Sequence, residues 1–271
     1  MIRFAVSEDI PALKELWAIS FNDPEPYVDF YFSQGFRAED TLVDTEHHAP
    51  VAMLSLLPAA HGVARCGYIY AAATAPAYRR QGRMERLLAF AREEAANRGY
   101  RALLLCPADD ALFGYYAKLG YTILLSHRVV RMPVETADTQ EVYPCTPEEY
   151  ARWRSDWKTL FLSSPYDLYA LREAAYSGTL YLQGTGFHAA VLPRGDALFI
   201  RELLAAPEAA AYAVAALAGH TACSEVILRL PSHCGLFPEH AASSMPYAAL
   251  LPLDDGYQWS EIYTNLLLTE D

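Results

Sequence analysis

The stretch TAPAYRRQGRMERLLAFA (74–91) sets Arg79, Arg80 and Arg83 around Gly82, at the point where an amphipathic helix begins. A helix start exposes N–H groups that have no intrahelical acceptor, together with the positive end of the helix dipole. Cations added there suit a strongly negative ligand, and a phosphate is the natural one. The preceding AAATA (71–75) carries very small side chains, so the backbone at Ala72, Ala73 and Thr74 is open to a neighbour or a ligand. Pro76 ends strand pairing. The turn then brings the N–H groups of Gln81, Gly82, Arg83 and Met84 around one point, with Gly82 allowing close approach and the arginines adding charge. That arrangement suits a pyrophosphate. The plainer alternative is a solvated arginine cluster.

Several elements must position this turn. A short strand (MIRFAV) leads to a helix over SEDIPALKELWAISF, with Ser7 as N-cap and Ile10, Leu13, Leu16 and Trp17 on one face. EPYVDFYFSQGF reads as a second helix closed by Gly35. Strands follow around DTLVDT, PVAMLSLLPAA and CGYIYAAATA. The helix from Gly82 to Asn97 repeats apolar residues at 84, 87, 88, 91 and 95, a stripe that must pack on a sheet. Next come a buried-type strand (YRALLLCPA), a short helix (DDALFGYYAKLG) and one or two strands in YTILLSHRVVRM. The polar segment 133–141 lacks apolar periodicity and is the expected domain boundary. Beyond it the order of elements repeats: two helices, three strands, the helix PEAAAYAVAALAG, then strands at SEVILRLP, YAALLPL and EIYTNLLLT. No residue-level repeat accompanies this architectural one.

The chain has 271 residues and a formal net charge of −12. Residues 1–135 hold 14 Lys+Arg against 16 Asp+Glu, whereas 136–271 hold 7 against 17, net −2 and −10. The acidic second half argues against nucleic acid as a partner. No apolar run reaches the roughly 18 residues of a membrane span, and the N-terminus lacks a signal-peptide core. The five cysteines (66, 106, 145, 223, 234) have no paired spacing, and no metal-ligand spacing is found among the eight histidines. A cytoplasmic protein without metal is expected.

Thr74, Pro76, Arg79, Gly82 and Met84 resemble the acyl-CoA-binding pattern V-x-P-x-x-R/Q-x-x-G-x-G/A of the GCN5-related N-acetyltransferase (GNAT) superfamily. Downstream, YYAKLGY is similar to the family's second signature through Tyr116, Lys118, Gly120 and Tyr121. The tandem arrangement resembles the Eis-like branch, whose members carry a further C-terminal domain. Two departures are Met84, in place of a small final residue, and Asp109, where many members have Asn.

The resemblance implies an α/β protein: a GNAT acetyl-CoA-binding catalytic domain over 1–132 and a degenerate GNAT-like half over 141–271 without a CoA motif. It implies acetyl-CoA as co-substrate, bound by Ala72, Ala73, Thr74, Arg79, Arg80, Gln81, Gly82, Arg83 and Met84. It implies transfer to a small-molecule amine by direct attack, with a backbone N–H near Thr74 serving the thioester oxygen. Tyr116 is the expected catalytic acid; its plainer alternative is a core aromatic. A thiol titrates near 8.5 and tyrosine near 10, so Tyr116 holds a proton for the departing sulfur at neutral pH. Tyr115 and Cys106 read as packing residues. YIYAAATA offers no Glu or His, so the residues do not identify the base; the resemblance to Eis-like proteins offers the terminal carboxylate of Asp271 as a stand-in. The acidic half would favour a cationic amine. The rivals are a non-catalytic CoA- or partner-binding module and a longer-acyl or aminoacyl transferase.

Overall fold

The computed structural model describes residues 1–134, 142–157, 161–162, 166–232, 234–257 and 259. The chain divides into two compact units, Met1–Leu124 with Ala248–Gln258, and Leu125–Tyr247 with Trp259–Asp271. The first therefore ends earlier than the expected 1–132 and takes back a segment from far along the chain.

In the first unit the strands are β1 (Ile2–Phe4), β2 (Thr41–Glu46), β3 (Ala49–His61), β4 (Ala64–Thr74) and β5 (Ala102–Leu105). They hydrogen-bond in that order, antiparallel except for β4 and β5, which run parallel across the helix α3 (Arg83–Asn97). Residues 249–252 complete the sheet antiparallel to β5, with Ala249 opposite Leu105 and Pro252 opposite Ala102. A strand buried on both faces reads as a continuous apolar run, as ALLL does.

Alternation along the strands assigns the two faces. Leu42, Ala52, Leu54, Leu56, Leu103 and Leu105 pack with Leu87, Leu88, Ala91 and Ala95 of α3, whose stripe buries as its spacing requires. The other face receives α1 (Ile10–Phe21) and α2 (Glu25–Gln34). There the Tyr31 hydroxyl lies 2.9 Å from Ser55 Oγ, and the Trp17 ring centroid is 4.4 Å from that of Tyr31 and 5.9 Å from that of Tyr70. Ser7 is not the cap it was expected to be. The helix entry is a 3-10 turn over Ser7–Asp9 in which buried Asp9 accepts from the Val6 N–H (2.9 Å) and from Arg3 (2.6 and 2.9 Å). One carboxylate thus takes both the Val6 N–H and the Arg3 guanidinium, and Ser7 lies inside the turn itself.

In the second unit, β6 (Ile123–Pro133, its last nine residues) pairs antiparallel with β12 (Glu225–Pro231). Outward from β12 lie β11 (Ala197–Ala205), β10 (Phe187–Arg194), β9 (Leu180–Gly184) and β7 (Tyr143–Pro144). β11 and β12 are the parallel pair, bridged by α7 (Pro207–His220). The helices α5 (Pro147–Arg154) and α6 (Tyr166–Tyr176) share a core with Tyr181, Ala190 and Leu204. α5 starts at the capping box of Thr146 and Glu149. The described chain also includes the two-residue strand β8 (Phe161–Leu162) and β13 (Ala242–Pro252), whose last five residues are the segment returned to the first unit. The expected strand EIYTNLLLT and the Asp271 carboxylate lie outside the described residues. YTILLSHRVVRM forms the single strand β6, with the helix α4 (Asp110–Lys118) just before it.

Candidate active site

β4 is bulged where its side chains shrink. Met53 faces Ala73 and Ser55 faces Tyr70, so an extra β4 residue lies between, and Ala71 takes φ +51°. One extra residue reverses the facing of everything after it. Ile69 and Ala72, three positions apart, consequently both pack into the α3-side cluster. The pairing of β4 with β5 ends at Ile69 and Leu105. From Tyr70 to Thr74, β4 therefore has a strand partner on its β3 edge only, among the described residues. Ala73 is buried, while Ala72 and Thr74 are partly exposed.

After Thr74 the chain makes a 3-10 turn at Pro76–Tyr78, then passes through Arg80 at φ +60° and Gly82 at φ +69° before entering α3. A left-handed arginine costs about 1–2 kcal/mol, so the surroundings must impose this backbone. Three side chains do so by donating to carbonyls of the turn. Arg79 Nε reaches Thr74 O at 2.9 Å, Gln81 Nε2 reaches Ala77 O at 3.0 Å, and Arg86 Nη1 reaches Gln81 O at 3.1 Å. With those carbonyls taken, the N–H groups of Gln81, Gly82, Arg83 and Met84 have no protein acceptor among the described residues. A Cβ on Gly82 would meet only Arg86 Nη1 at 3.4 Å and Glu85 Oε2 at 3.9 Å, so space over the turn is open.

The arginines divide. Arg79 and Arg80 are exposed. The Arg83 guanidinium instead donates to Asp44 (3.1 Å) and to Glu46 of β2, and lies 4.9 Å from the Tyr78 ring centroid. Burial works to raise the Asp44 carboxyl, but the Met1 amino group and Arg83 outweigh it and hold it below the usual carboxylate range. Arg86 Nη2 also approaches Asp44, at 3.5 Å. Asp44, Glu46 and Arg86 escaped the sequence reading. The available signal was an acid inside the otherwise buried run TLVDT.

Tyr116 sits in α4, whose N-terminus is capped by Asp109 accepting from the Leu112 N–H at 3.0 Å. Asp109 thus has a local structural task. Gly120 leaves the helix at φ +93°. The Tyr116 ring is buried edge-on against Tyr115 and Tyr121, in the cluster that also takes in Leu105, Ala72 and Met84. The fold thus brings Tyr116, the bulged strand and the start of α3 together. Its hydroxyl makes no hydrogen bond to the described residues, and burial, with Tyr115 and Asp109 adding to it, pushes its pKa up to about 12. Burial likewise raises Cys106 to about 12, which leaves a thiol rather than a nucleophilic thiolate at neutral pH. Tyr115 is partly buried in the same cluster, as a packing residue should be.

The sequence profile described as an acetyltransferase (GNAT) domain matches residues 1–124. The first unit carries a GNAT-family acetyltransferase domain. Solved structures share the two-half fold. A GCN5-related N-acetyltransferase from Anabaena variabilis ATCC 29413 superposes with TM-score 0.75 at 17% identity, covering 92% of this chain and 72% of its own. Eis1 from Mycobacterium abscessus gives 0.73 at 16%, covering 94% and 74%. A tandem GNAT protein from the clavulanic acid biosynthesis pathway gives 0.55 at 12%, covering 93% and 98%. No curated protein sequence matches the chain.

The second unit has a bulged strand at the corresponding place in its own order of elements. β11 is bulged opposite Ala190 and Val191, and its parallel pairing with β12 ends at Ile200. There the strand carries Arg201 and Glu202. Buried Glu202 accepts from Arg154 Nε (2.9 Å) and from the Tyr150 hydroxyl (2.9 Å). α7 then starts at Ala206 and Pro207 without an arginine–glycine turn. No helix of the described residues is long and apolar enough to cross a membrane.

Proposed function

We propose that this chain transfers an acetyl group from acetyl-CoA to a small-molecule amine, by direct attack of the amine on the thioester. The observation that carries the reading is the acceptor-less run of N–H groups from Gln81 to Met84, beside a bulged strand open on one edge and in the same cluster as Tyr116. The pyrophosphate fits those N–H groups and the glycine without a Cβ, with Arg79 and Arg80 supplying charge. The half-paired backbone at Ala72, Ala73 and Thr74 lies along the acyl arm, and an N–H near Thr74 serves the thioester oxygen.

Acetyl-CoA supplies an activated acyl group. The amine nitrogen bonds to the carbonyl carbon, the C–S bond breaks, and the sulfur takes a proton from Tyr116 Oη. The amine loses a proton to solvent or to a carboxylate of the chain, and solvent returns a proton to Tyr116 Oη. Burial raises Tyr116, and the same burial raises the departing thiolate's affinity for a proton, so the two remain matched. Holding both substrates together contributes most of the acceleration. The acidic residues of 136–271 favour a cationic acceptor through long-range steering, which salt screens over about 8 Å.

A thiol-release assay against a panel of primary amines, with acetyl-CoA and longer acyl-CoAs, tests the reading. Release that depends on both amine and acetyl-CoA supports it. CoA binding without release under any acceptor would make the chain a binding module. Faster release from longer acyl-CoAs would make it a longer-acyl transferase.

A further inference from the structure

Two carboxylates stand beside a turn that has to hold a pyrophosphate, which on charge alone should weaken binding. Both are occupied by one guanidinium. Arg83 gives Nη1 to Asp44 and Nη2 to Glu46, its side chain is only 11% exposed, and its remaining donor, Nε, is buried without a partner. The Tyr78 ring, from the 3-10 turn just upstream, lies 4.9 Å from it. So the first residue of α3 is pinned to β2, across 39 and 37 residues of sequence, immediately after the left-handed Gly82.

We propose that Arg83, gripped by Asp44 and Glu46, is a positioning residue for acyl-CoA: it fixes the Gly82 turn and does not itself contact phosphate. This rests on the acetyl-CoA reading above. A guanidinium fork can span two carboxylates, whereas an ammonium is a point charge. The fork sets the direction in which α3 leaves the turn, and so where the N–H groups of 81–84 converge. Balanced by Arg83 and by the Met1 amino group 3.1 Å from Asp44, the carboxylates cost the ligand little.

The alternative, Arg83 as a phosphate ligand, predicts the opposite sign. If Asp44 and Glu46 merely compete with phosphate for Arg83, removing either charge frees the cation and tightens CoA binding. If they hold it in place, removing either loosens the turn and weakens binding. Glu46→Gln is the first variant, because Glu46 lies on the exposed side of the clamp; Asp44→Asn, Arg83→Gln, Arg83→Lys and the Asp44→Asn/Arg83→Gln double variant follow.

Calorimetric titration with CoA should give a higher Kd for each, by about 10–100-fold for Arg83→Gln, the worth of one charge-assisted hydrogen bond lost from the turn. The double variant should be no worse than Arg83→Gln alone, since both changes remove one interaction. Arg83→Lys should not rescue. In turnover, KM for acetyl-CoA should rise while kcat at saturation stays unchanged. Hydrogen exchange at the Arg86 amide, which donates to Gly82 O at 3.1 Å, should quicken in unliganded Glu46→Gln and Arg83→Gln. Tighter CoA binding in Glu46→Gln or Asp44→Asn, full rescue by lysine, or unchanged exchange at the Arg86 amide would overturn the proposal. Absence of saturable heat in the wild type would defeat the acetyl-CoA reading instead, and the clamp is then judged by the exchange result alone.

Discussion

Gly82→Ala separates the cost of a residue to the fold from its cost to the ligand. Gly82 is at φ +69°, where an L-residue costs about 1–2 kcal/mol. The added Cβ meets Arg86 Nη1 at 3.4 Å, an ordinary contact with the end of a flexible side chain, so no steric term is added. Stability should fall by about 1–2 kcal/mol, a few degrees in Tm. The ligand is affected more, because the methyl group enters the space where N–H groups converge. Losing one or two hydrogen bonds to a charged phosphate is worth about 1.5–3 kcal/mol each, so Kd for CoA should rise by at least about tenfold. Gly67→Ala is the matched control. Its Cβ would meet Leu56 Cδ1 at 2.5 Å and Leu103 Cδ2 at 3.0 Å in the core, an overpacking of about 1–3 kcal/mol far from the turn. Thermal melts and calorimetric CoA titrations of both variants give four numbers. Gly67→Ala should lose stability and keep affinity; Gly82→Ala should lose affinity disproportionately. Unchanged CoA affinity in Gly82→Ala would refute the placement of the phosphate.

Cys106→Ala should keep wild-type turnover, and Cys106 should resist iodoacetamide at pH 8, because burial holds the thiol near 12; rapid alkylation at this residue would contradict that. Burial raises Asp167 to about 6, against the pull of Arg154. The native state therefore binds its proton more tightly than the unfolded chain does, and this stabilisation is lost as pH rises from about 4 through 6. Asp167→Asn should consequently be more stable than wild type at pH 7.5, on the order of 2 kcal/mol, with the gain vanishing toward pH 4. A gain independent of pH would show that the carboxyl's environment has been misjudged.

What the sequence made legible was local. The α3 stripe at 84, 87, 88, 91 and 95 needs only helical periodicity, and Leu87, Leu88, Ala91 and Ala95 are buried. Gly82 and Gly99 bracket that helix, both in the left-handed region. The order of the longer described strands and helices could be read the same way. Distant pairings could not. Asp44 and Glu46 went unremarked, because nothing near them in sequence says that an arginine almost forty residues later will face them. Residues 249–252 read as one strand among several in the second half, yet they pair beside β5. An antiparallel register depends on tertiary packing that periodicity does not encode. The Ala71 bulge was hidden by alanines, whose uniform size removes the alternation that would have revealed a change of face. Ser7 read as the cap because a capping rule sees position and not the 3-10 turn that Arg3 and the Val6 N–H build on Asp9.

The central claim is that Tyr116 gives its proton to the departing thiolate of acetyl-CoA bound at the bulged strand and the start of α3. Tyr116→Phe keeps the buried ring and removes only a hydroxyl that makes no hydrogen bond to the described residues, so fold and CoA affinity should be preserved. Steady-state thiol release with the best amine, at saturating acetyl-CoA, is the measurement. The account predicts a fall in kcat of about 10²–10⁴-fold, with the CoA Kd within about twofold, while the wild-type rate holds through pH 10 because burial keeps the hydroxyl protonated to about 12. A Phe variant that turns over at the wild-type rate would contradict it.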